Sequence, residues 1–377
     1  MPEETRGSLS TDRFIRKKGQ SNTASWRERR IMPVFTAEQL RNVGTKIFLA
    51  AGAPLENAEW VSKLLVKANL VGHDSHGVIR IMQYVRAIQK GDINPDAKTE
   101  VVKETRASAL VNGNLGFGQI VARKAMEIAV SKARENTCGT VCAYNCYHIG
   151  RLADYSGMAA EDGMVGVVMA NSPRSVAVYG GLDRLLSTGP LSYAFPTSGE
   201  VPFVLDIATS VVAEGKVRVA LHKGGKLPEG CIIDKDGNPS TNPADLYDGG
   251  ALLPLGGDSF GYKGFGIGLV VEVLSGILSK SGFSFLPDKR GNGLFFQAID
   301  IESFMPVDEF KEQVNVLVQK IKSSKLRPGF TEILIPGEPE YRNEKERLKN
   351  GISIPDRTWE EIRVTAATLG LDVDALI

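Results

Sequence analysis

From Gly139 onward the hydrophobic period of this chain changes, and that change limits the possible folds more than any other feature. Thr140–Tyr144 reads as a strand, a loop carries Asn145 and His148, Leu152–Glu161 reads as a helix and Val165–Ala170 as a second strand. Apolar residues recur two apart, then three or four apart, then two apart again. Such alternation belongs to α/β folds. It continues through strands at Leu191–Phe195 and Phe203–Ile207, a helix over Val211–Leu221, a turn at Asp236-Gly237, a strand over Leu294–Ile301 and a helix over Val307–Ile321. A last strand is expected over Thr331–Ile335, ending at Pro336-Gly337. Neither GxGxxG nor GxxxxGK[ST] occurs anywhere, so neither a Rossmann nor a P-loop nucleotide site is licensed.

The two ends of the chain follow helical spacing. Thr36-Ala37-Glu38-Gln39 forms a capping box ahead of Leu40, Val43, Ile47 and Phe48, and a second helix carries Trp60, Leu64, Leu65 and Ala68. Val101-Val102 and Ala109–Val111 read as short strands, and the glycine run Gly113–Gln119 opens a helix from Ile120 to about Glu135. That run is a first candidate for close backbone approach to a ligand. Two polar helices, about Pro339–Lys349 and Thr358–Leu369, close the chain. Residues 1–32 are polar, rich in Lys and Arg and almost without apolar periodicity, so a disordered tail is expected there.

The stretch Gly72-His73-Asp74-Ser75-His76-Gly77-Val78-Ile79-Arg80 carries the most chemistry. A helix expected over Val78–Gln89 would present His76, at its mouth, and Arg80 on one face, with Asp74 or Ser75 as its cap. A group that titrates near neutrality beside a guanidinium that grips carboxylates is what reversible reduction of a 2-oxo acid needs. The same residues also read as a helix-start histidine, an interior histidine and a surface ion-pair arginine. His148 lies on a strand-to-helix connection, where catalytic side chains concentrate.

A second glycine concentration, Gly256–Gly268, with Lys263 inside it, is expected to precede a helix running through Ile277. It reads as an anion site made of backbone donors at a helix start, or as close helix packing through small residues. Cys142, Cys146 and His148 lack the CxxC spacing of structural zinc, and no metal site is expected. With Cys138 and Cys231, these cysteines are too few for a disulfide scaffold and imply a reducing, cytoplasmic setting. The balance of 45 basic and 44 acidic residues gives a net charge of +1, which favours neither nucleic acid nor an anionic membrane as partner. No run of 18 uninterrupted apolar residues occurs, so no membrane span is expected.

Four segments together resemble a known family. They are His73-Asp74-Ser75-His76-Gly77-Val78-Ile79-Arg80, Tyr147-His148-Ile149-Gly150, Phe203-Val204-Leu205-Asp206-Ile207-Ala208-Thr209-Ser210 and Leu253-Pro254-Leu255-Gly256-Gly257. In this order they are similar to the malate/L-lactate dehydrogenase family that is unrelated to the Rossmann lactate dehydrogenases, over roughly Phe35 to Leu369. The resemblance implies an α/β fold of non-Rossmann type, with a mixed, largely antiparallel sheet flanked by helices and a helical domain drawn from both termini. It implies residues 33–115 plus 331–377 as the helical, substrate-side domain and 116–330 as the nicotinamide-cofactor domain. It also implies a homodimer, NAD or NADP as cofactor and a small carboxylate as substrate. His76 would be the proton donor to the carbonyl, with Ser75, Arg80 and His148 around the substrate. Cofactor contacts would come from Pro202, Phe203, Val204, Leu205, Asp206, Ile207 and Ala208, from Tyr262 and Lys263, and from Gly337, Glu338 and Pro339. Two departures fall near the cofactor: Ser187-Thr188-Gly189-Pro190 stands where many members read Gly-Thr-Asn-Pro, and Tyr262-Lys263-Gly264 where they read His-Lys-Gly. The expected reaction is hydride transfer between NAD(P) and a 2-oxo or 2-hydroxy acid. Reduction of a cyclic imino acid C=N bond and a nucleotide-binding homologue without turnover are the alternatives.

Overall fold

Thr36 closes the capping box read from sequence: its hydroxyl accepts the Gln39 N–H at 3.1 Å, and its own N–H donates to Gln39 Oε1 at 2.8 Å. Two of the N–H groups orphaned at a helix start are thereby satisfied. The computed structural model describes residues 32–377 except Lys223. Apart from Met32, the tail expected to be disordered lies outside the described residues. The helices are α1 (Ala37–Ala50), α2 (Leu55–Leu70), α3 (Arg80–Gln89), α4 (Gly118–Asn136), α5 (Ala153–Glu161), α6 (Glu214–His222), α7 (Pro243–Tyr247), α8 (Gly257–Val271), α9 (Val307–Lys322), α10 (Glu338–Asn350) and α11 (Asp356–Thr368). The main strands are β1 (Glu100–Glu104), β2 (Ser108–Gly116), β3 (Cys138–Cys146), β4 (Met164–Asn171), β5 (Leu191–Phe195), β6 (Phe203–Ile207) and β7 (Asn292–Asp300).

The seven strands form one sheet in the order β1-β2-β3-β7-β4-β5-β6. Only β2 and β3 run parallel; every other neighbouring pair is antiparallel. The sheet is therefore mixed and largely antiparallel, as expected. One face packs Val141, Leu294 and Phe296 against Val121 and Met126 of α4 and Tyr155 of α5. On the other face Cys142, Val167, Met169 and Phe295 meet Val271 of α8. Cover on both sides explains why β4 and β7 are apolar nearly throughout rather than alternating. A smaller five-stranded sheet includes Val176–Ala177, Ile232–Ile233 and Ala251–Leu252.

A helical layer joins the two ends of the chain. Val34–Phe35 pairs antiparallel with Ile352–Ser353, and Phe35 stacks on Trp359 with ring centroids 4.2 Å apart. Phe48, Leu65, Tyr84, Val85 and Ile362 complete this core, each large apolar side chain contributing roughly 1.5–3 kcal/mol by burial.

Four local expectations are corrected. The helix expected from Val78 begins at Arg80, and Ile79 at its N-cap makes no side-chain cap; His76 instead ends a short 3-10 turn, Asp74–His76. The helix expected from Val211 begins at Glu214. Thr331–Ile335 is not a strand: Thr331, Glu332 and Leu334 are exposed while Ile335 is buried, and the next carbonyl, Pro336 O, takes a single bond from Val204 N–H, at 3.2 Å, so no ladder forms. The glycines expected to precede a helix lie within α8 from Gly257 to Gly268, with Gly256 as its N-cap, and a side chain at Gly264 would collide with Leu255. Small residues there serve close packing. Directly after it Glu272–Ile277 continues as a π-helix, with Glu272 buried and accepting from the Ser284 hydroxyl at 2.7 Å. Together, 257–277 are long and apolar enough to cross a membrane by length and composition, yet Val271, Glu272, Ser275 and Gly276 are buried in the protein.

Candidate active site

Asn69 of α2 shapes the turn that carries the histidines. Its Oδ1 accepts the Val78 N–H at 2.8 Å, and its Nδ2 donates to Asp74 Oδ1 at 2.7 Å. Asp74 is also held by Arg347 of α10 at 2.7 Å, so its carboxylate ties two elements together instead of capping α3. Ser75 Oγ lies 3.1 Å from His76 Nδ1. Arg80 Nε donates to Ser75 O at 2.7 Å and Nη1 to Gln83 Oε1 at 2.6 Å, and Gln83 Nε2 reaches the Tyr147 hydroxyl at 3.3 Å. The Nη2 edge of Arg80 has no partner among the described residues, leaving N–H donors for a ligand carboxylate. Above Ser75 lies α6, where a Cβ on Gly215 would come within 2.7 Å of Ser75 Cβ.

The two histidines expected at the substrate meet. His76 and His148 stack with ring centroids 5.5 Å apart and planes inclined by 23°. His148 reaches this position from the connection after β3, where Gly118 packs so closely beneath the Tyr147 and His148 carbonyls that no side chain fits. The first glycine run, expected to let the backbone approach a ligand, lets it approach the protein's own chain here. Burial, followed by the positive charges of Arg80, His73 and Arg151, lowers the His76 pKa to about 3. Burial and the same Arg80 hold His148 well below the usual imidazole range. Both rings are therefore neutral at pH 7.

A cavity of about 380 Å³ opens between α2, α5, β6 and α10; it reaches His73 of the same turn, whereas His76, His148 and Arg80 do not line it. Pro202, Val204, Asp206 and Gly337 line it, together with Trp60, His73, Arg151, Asp154 and Glu340. Gly337 takes φ of 98° and lies against the Pro202 carbonyl, where a side chain would collide, so the turn into α10 seats directly on β6. His73 Nε2 pairs with Glu340 Oε1 at 3.1 Å. Arg151 is buried and its Nη1 contacts Asp154 at 3.2 Å, while its Nε has no partner among the described residues. Burial raises the carboxyls of Asp154 and Asp206, with Arg151 opposing. Asp206 Oδ2 accepts the Ala153 N–H at 2.9 Å and so caps α5.

Four of the expected cofactor residues thus share one cavity, and the others lie elsewhere. Along β6 the alternate residues face the opposite side: Phe203 packs on Phe195 at 5.1 Å, and Leu205 and Ile207 join the second face of the sheet. Ala208 follows the end of the strand. Tyr262 is exposed against Tyr179, and Lys263 Nζ sits 5.5 Å over the Phe260 ring. Glu338 accepts the Ile335 N–H at 2.9 Å and pairs with Lys322, while Pro339 occupies the first turn of α10. Missed in the sequence were Tyr84, Gln119, Gln83 and Arg151. Gln83 and Tyr84 carried a signal, standing three and four residues after Arg80 on the same helix.

A family model described as malate/L-lactate dehydrogenase matches residues 35–363. Malate dehydrogenase of Pyrococcus horikoshii is 41% identical over 335 residues, covering 87% of this chain and 93% of that protein. L-sulfolactate dehydrogenase of Methanocaldococcus jannaschii is 39% identical over 332 residues, covering 86% and 94%. The solved structure of the Pyrococcus horikoshii malate dehydrogenase superposes with a TM-score of 0.84 at 38% identity, over 91% of this chain and 97% of that one. Motif order, sheet topology and near full-length similarity agree, and the chain belongs to the malate/L-lactate dehydrogenase family.

Proposed function

We propose that this protein is an NAD(P)-dependent oxidoreductase that moves hydride between the nicotinamide and a 2-oxo or 2-hydroxy acid. The observation that carries this reading is the meeting of His76 and His148 beside Arg80, whose Nη2 edge is open. Cofactor fit is supported by the adjoining cavity, which combines a buried guanidinium N–H lacking a partner, on Arg151, with the carboxylate of Asp206. Phosphate or amide oxygens suit the first and hydroxyl or amide donors the second. Bound there, the cofactor would supply or receive the hydride. The sheet side would hold it through Pro202, Val204, Asp206 and Gly337, and the helical layer built from both termini would hold the substrate.

Arg80 grips the substrate carboxylate, its guanidinium already aimed by Ser75 O and Gln83. Ser75 Oγ can accept the Nδ1–H of His76, which leaves Nε2 to take the hydroxyl proton during oxidation and to return it to the carbonyl oxygen in reduction. His148 orients that oxygen. A bound carboxylate offsets part of the Arg80 charge that lowers the His76 pKa, so the proton is held best when substrate is present.

We place two copies together through the exposed apolar side of the α8 and π-helical segment, where Val270, Val273, Ile277 and Leu278 are each about half exposed. A contiguous apolar strip of this length is the usual mark of an interface. Cys138, Cys142, Cys146 and Cys231 are all unpaired, consistent with a cytoplasmic setting.

The test is a substrate panel followed by nicotinamide absorbance, with NADH and NADPH each offered 2-oxo acids and cyclic imino acids. Turnover of 2-oxo acids with at least one cofactor is expected. Turnover of the imines alone reassigns the reaction to C=N reduction, and cofactor binding without any turnover removes the enzyme reading.

A further inference from the structure

Among the described residues, His148 is held by a side-chain hydrogen bond at one ring nitrogen, Nδ1. The Tyr84 hydroxyl lies 2.8 Å from His148 Nδ1, and the same oxygen receives Gln119 Nε2 at 2.8 Å. We propose that Tyr84 and Gln119 are positioning residues that fix His148 as the Nε2–H tautomer, making it a hydrogen-bond donor to substrate and leaving proton exchange to His76. The part of this concerning substrate rests on the oxidoreductase reading; the part concerning the tautomer does not.

A phenol has one proton to give. Its oxygen accepts the Gln119 amide N–H, so the Tyr84 proton is left for the imidazole. Tyr84 is fully buried, and burial pushes its pKa up, so the phenol stays protonated. His148, neutral for the reasons given above, must then accept at Nδ1 and carry its proton on Nε2. Gln119 Oε1 is buried without a partner among the described residues, so the bond from Nε2 to the Tyr84 hydroxyl is the one side-chain hydrogen bond this amide makes among them. The reversed amide would take the Tyr84 proton on Oε1 and force His148 to donate from Nδ1, leaving Nε2 bare toward the ligand.

The wiring separates two neighbouring rings that would otherwise be interchangeable. His76 meets Ser75 Oγ through Nδ1, a hydroxyl that can either give or accept, so its proton is free to move. His148 faces a phenol whose proton is already committed. Gln119 stands one residue beyond Gly118, which fits beneath the Tyr147 and His148 carbonyls, so one turn at the start of α4 sets both the place of the ring and its tautomer.

The experiment is nitrogen NMR on the full-length resting protein labelled with ¹⁵N-histidine, with His148→Gln used for assignment. His148 Nδ1 should resonate as an unprotonated acceptor and Nε2 as protonated. Tyr84→Phe should mix the two forms and lower kcat by about 10- to 100-fold, by analogy with the loss on removing a group that orients a metal-bound imidazole, with cofactor Kd unchanged. A proton on Nδ1 in the wild-type protein overturns the proposal, as does a Tyr84→Phe spectrum identical to wild type. Gln119→Leu, which frees the Tyr84 hydroxyl to turn, is the second variant if Tyr84→Phe lowers the melting temperature sharply; it too should mix the tautomers, and an unmixed spectrum counts against the proposal. Because the spectrum needs no turnover, a failed substrate panel and a failed tautomer assignment are told apart.

Discussion

Burial, and after it the charges of Arg80, His73 and Arg151, bring His76 to a pKa of about 3. In the oxidative direction it should therefore act as a base that is ready throughout the neutral range. Because kcat/KM reports the free enzyme, oxidation of a 2-hydroxy acid should show no His76 limb between about pH 8 and about pH 5. A midpoint near 6.5 would mean that the ring is solvated and unperturbed. Arg80 offers a second measurement at this scale. Lys in its place keeps the charge but loses the planar fork that Ser75 O and Gln83 aim. KM for the carboxylate substrate should rise at least about tenfold, the loss of one charge-assisted bond at about 1.5–3 kcal/mol. An unchanged kcat/KM would place the carboxylate elsewhere.

Between elements, Asp206 has two duties at once. It ends β6, lines the cavity, and accepts the N–H of Ala153 at the start of α5. Asp206→Ala should therefore lose a helix cap, about 0.5–2 kcal/mol, as well as a cofactor contact. Asp206→Asn separates these duties, since its amide oxygen can still accept the Ala153 N–H while the charge is gone. The Asn protein should melt close to wild type and bind NADH or NADPH about tenfold or more weakly, by fluorescence titration. Normal cofactor affinity in both variants, with a lowered melting temperature in Asp206→Ala, would leave Asp206 a cap and nothing more.

Along α8 and the π-helical turn the molecule exposes an apolar side that its own core does not use. Val271, Glu272 and Ser275 face inward, whereas Val270, Val273, Ile277 and Leu278 face out. Placing Asp at both Val270 and Val273 should break a dimer into monomers in sedimentation, because burying two unpaired carboxylates per copy costs more than the apolar contact returns. Far-ultraviolet circular dichroism should stay unchanged, since both positions point away from the core. A wild-type monomer, or a dimer indifferent to the two charges, would refute this interface.

Local chemistry was legible from the residues alone. The capping box at Thr36 and the strands of the large sheet follow from spacing and side-chain type, which act over a few residues; for His76, Arg80 and His148 spacing left a structural reading open, and the family resemblance nominated them. What the sequence could not state is which distant groups meet. Tyr84 and His148 are 64 positions apart, and Gln119 and Tyr84 are 35 apart, yet their bonds decide how the site holds its protons. Gly256–Gly268 reads locally either as an anion site at a helix start or as close helix packing, and only the tight approach of Gly264 to Leu255 selects the packing. Thr331–Ile335 has the composition of a strand and no ladder to join. Side-chain pattern determined where the chain bends and which face it hides; only tertiary packing, by excluding water and bringing remote donors to remote acceptors, decided the charge and tautomer of each group at the site.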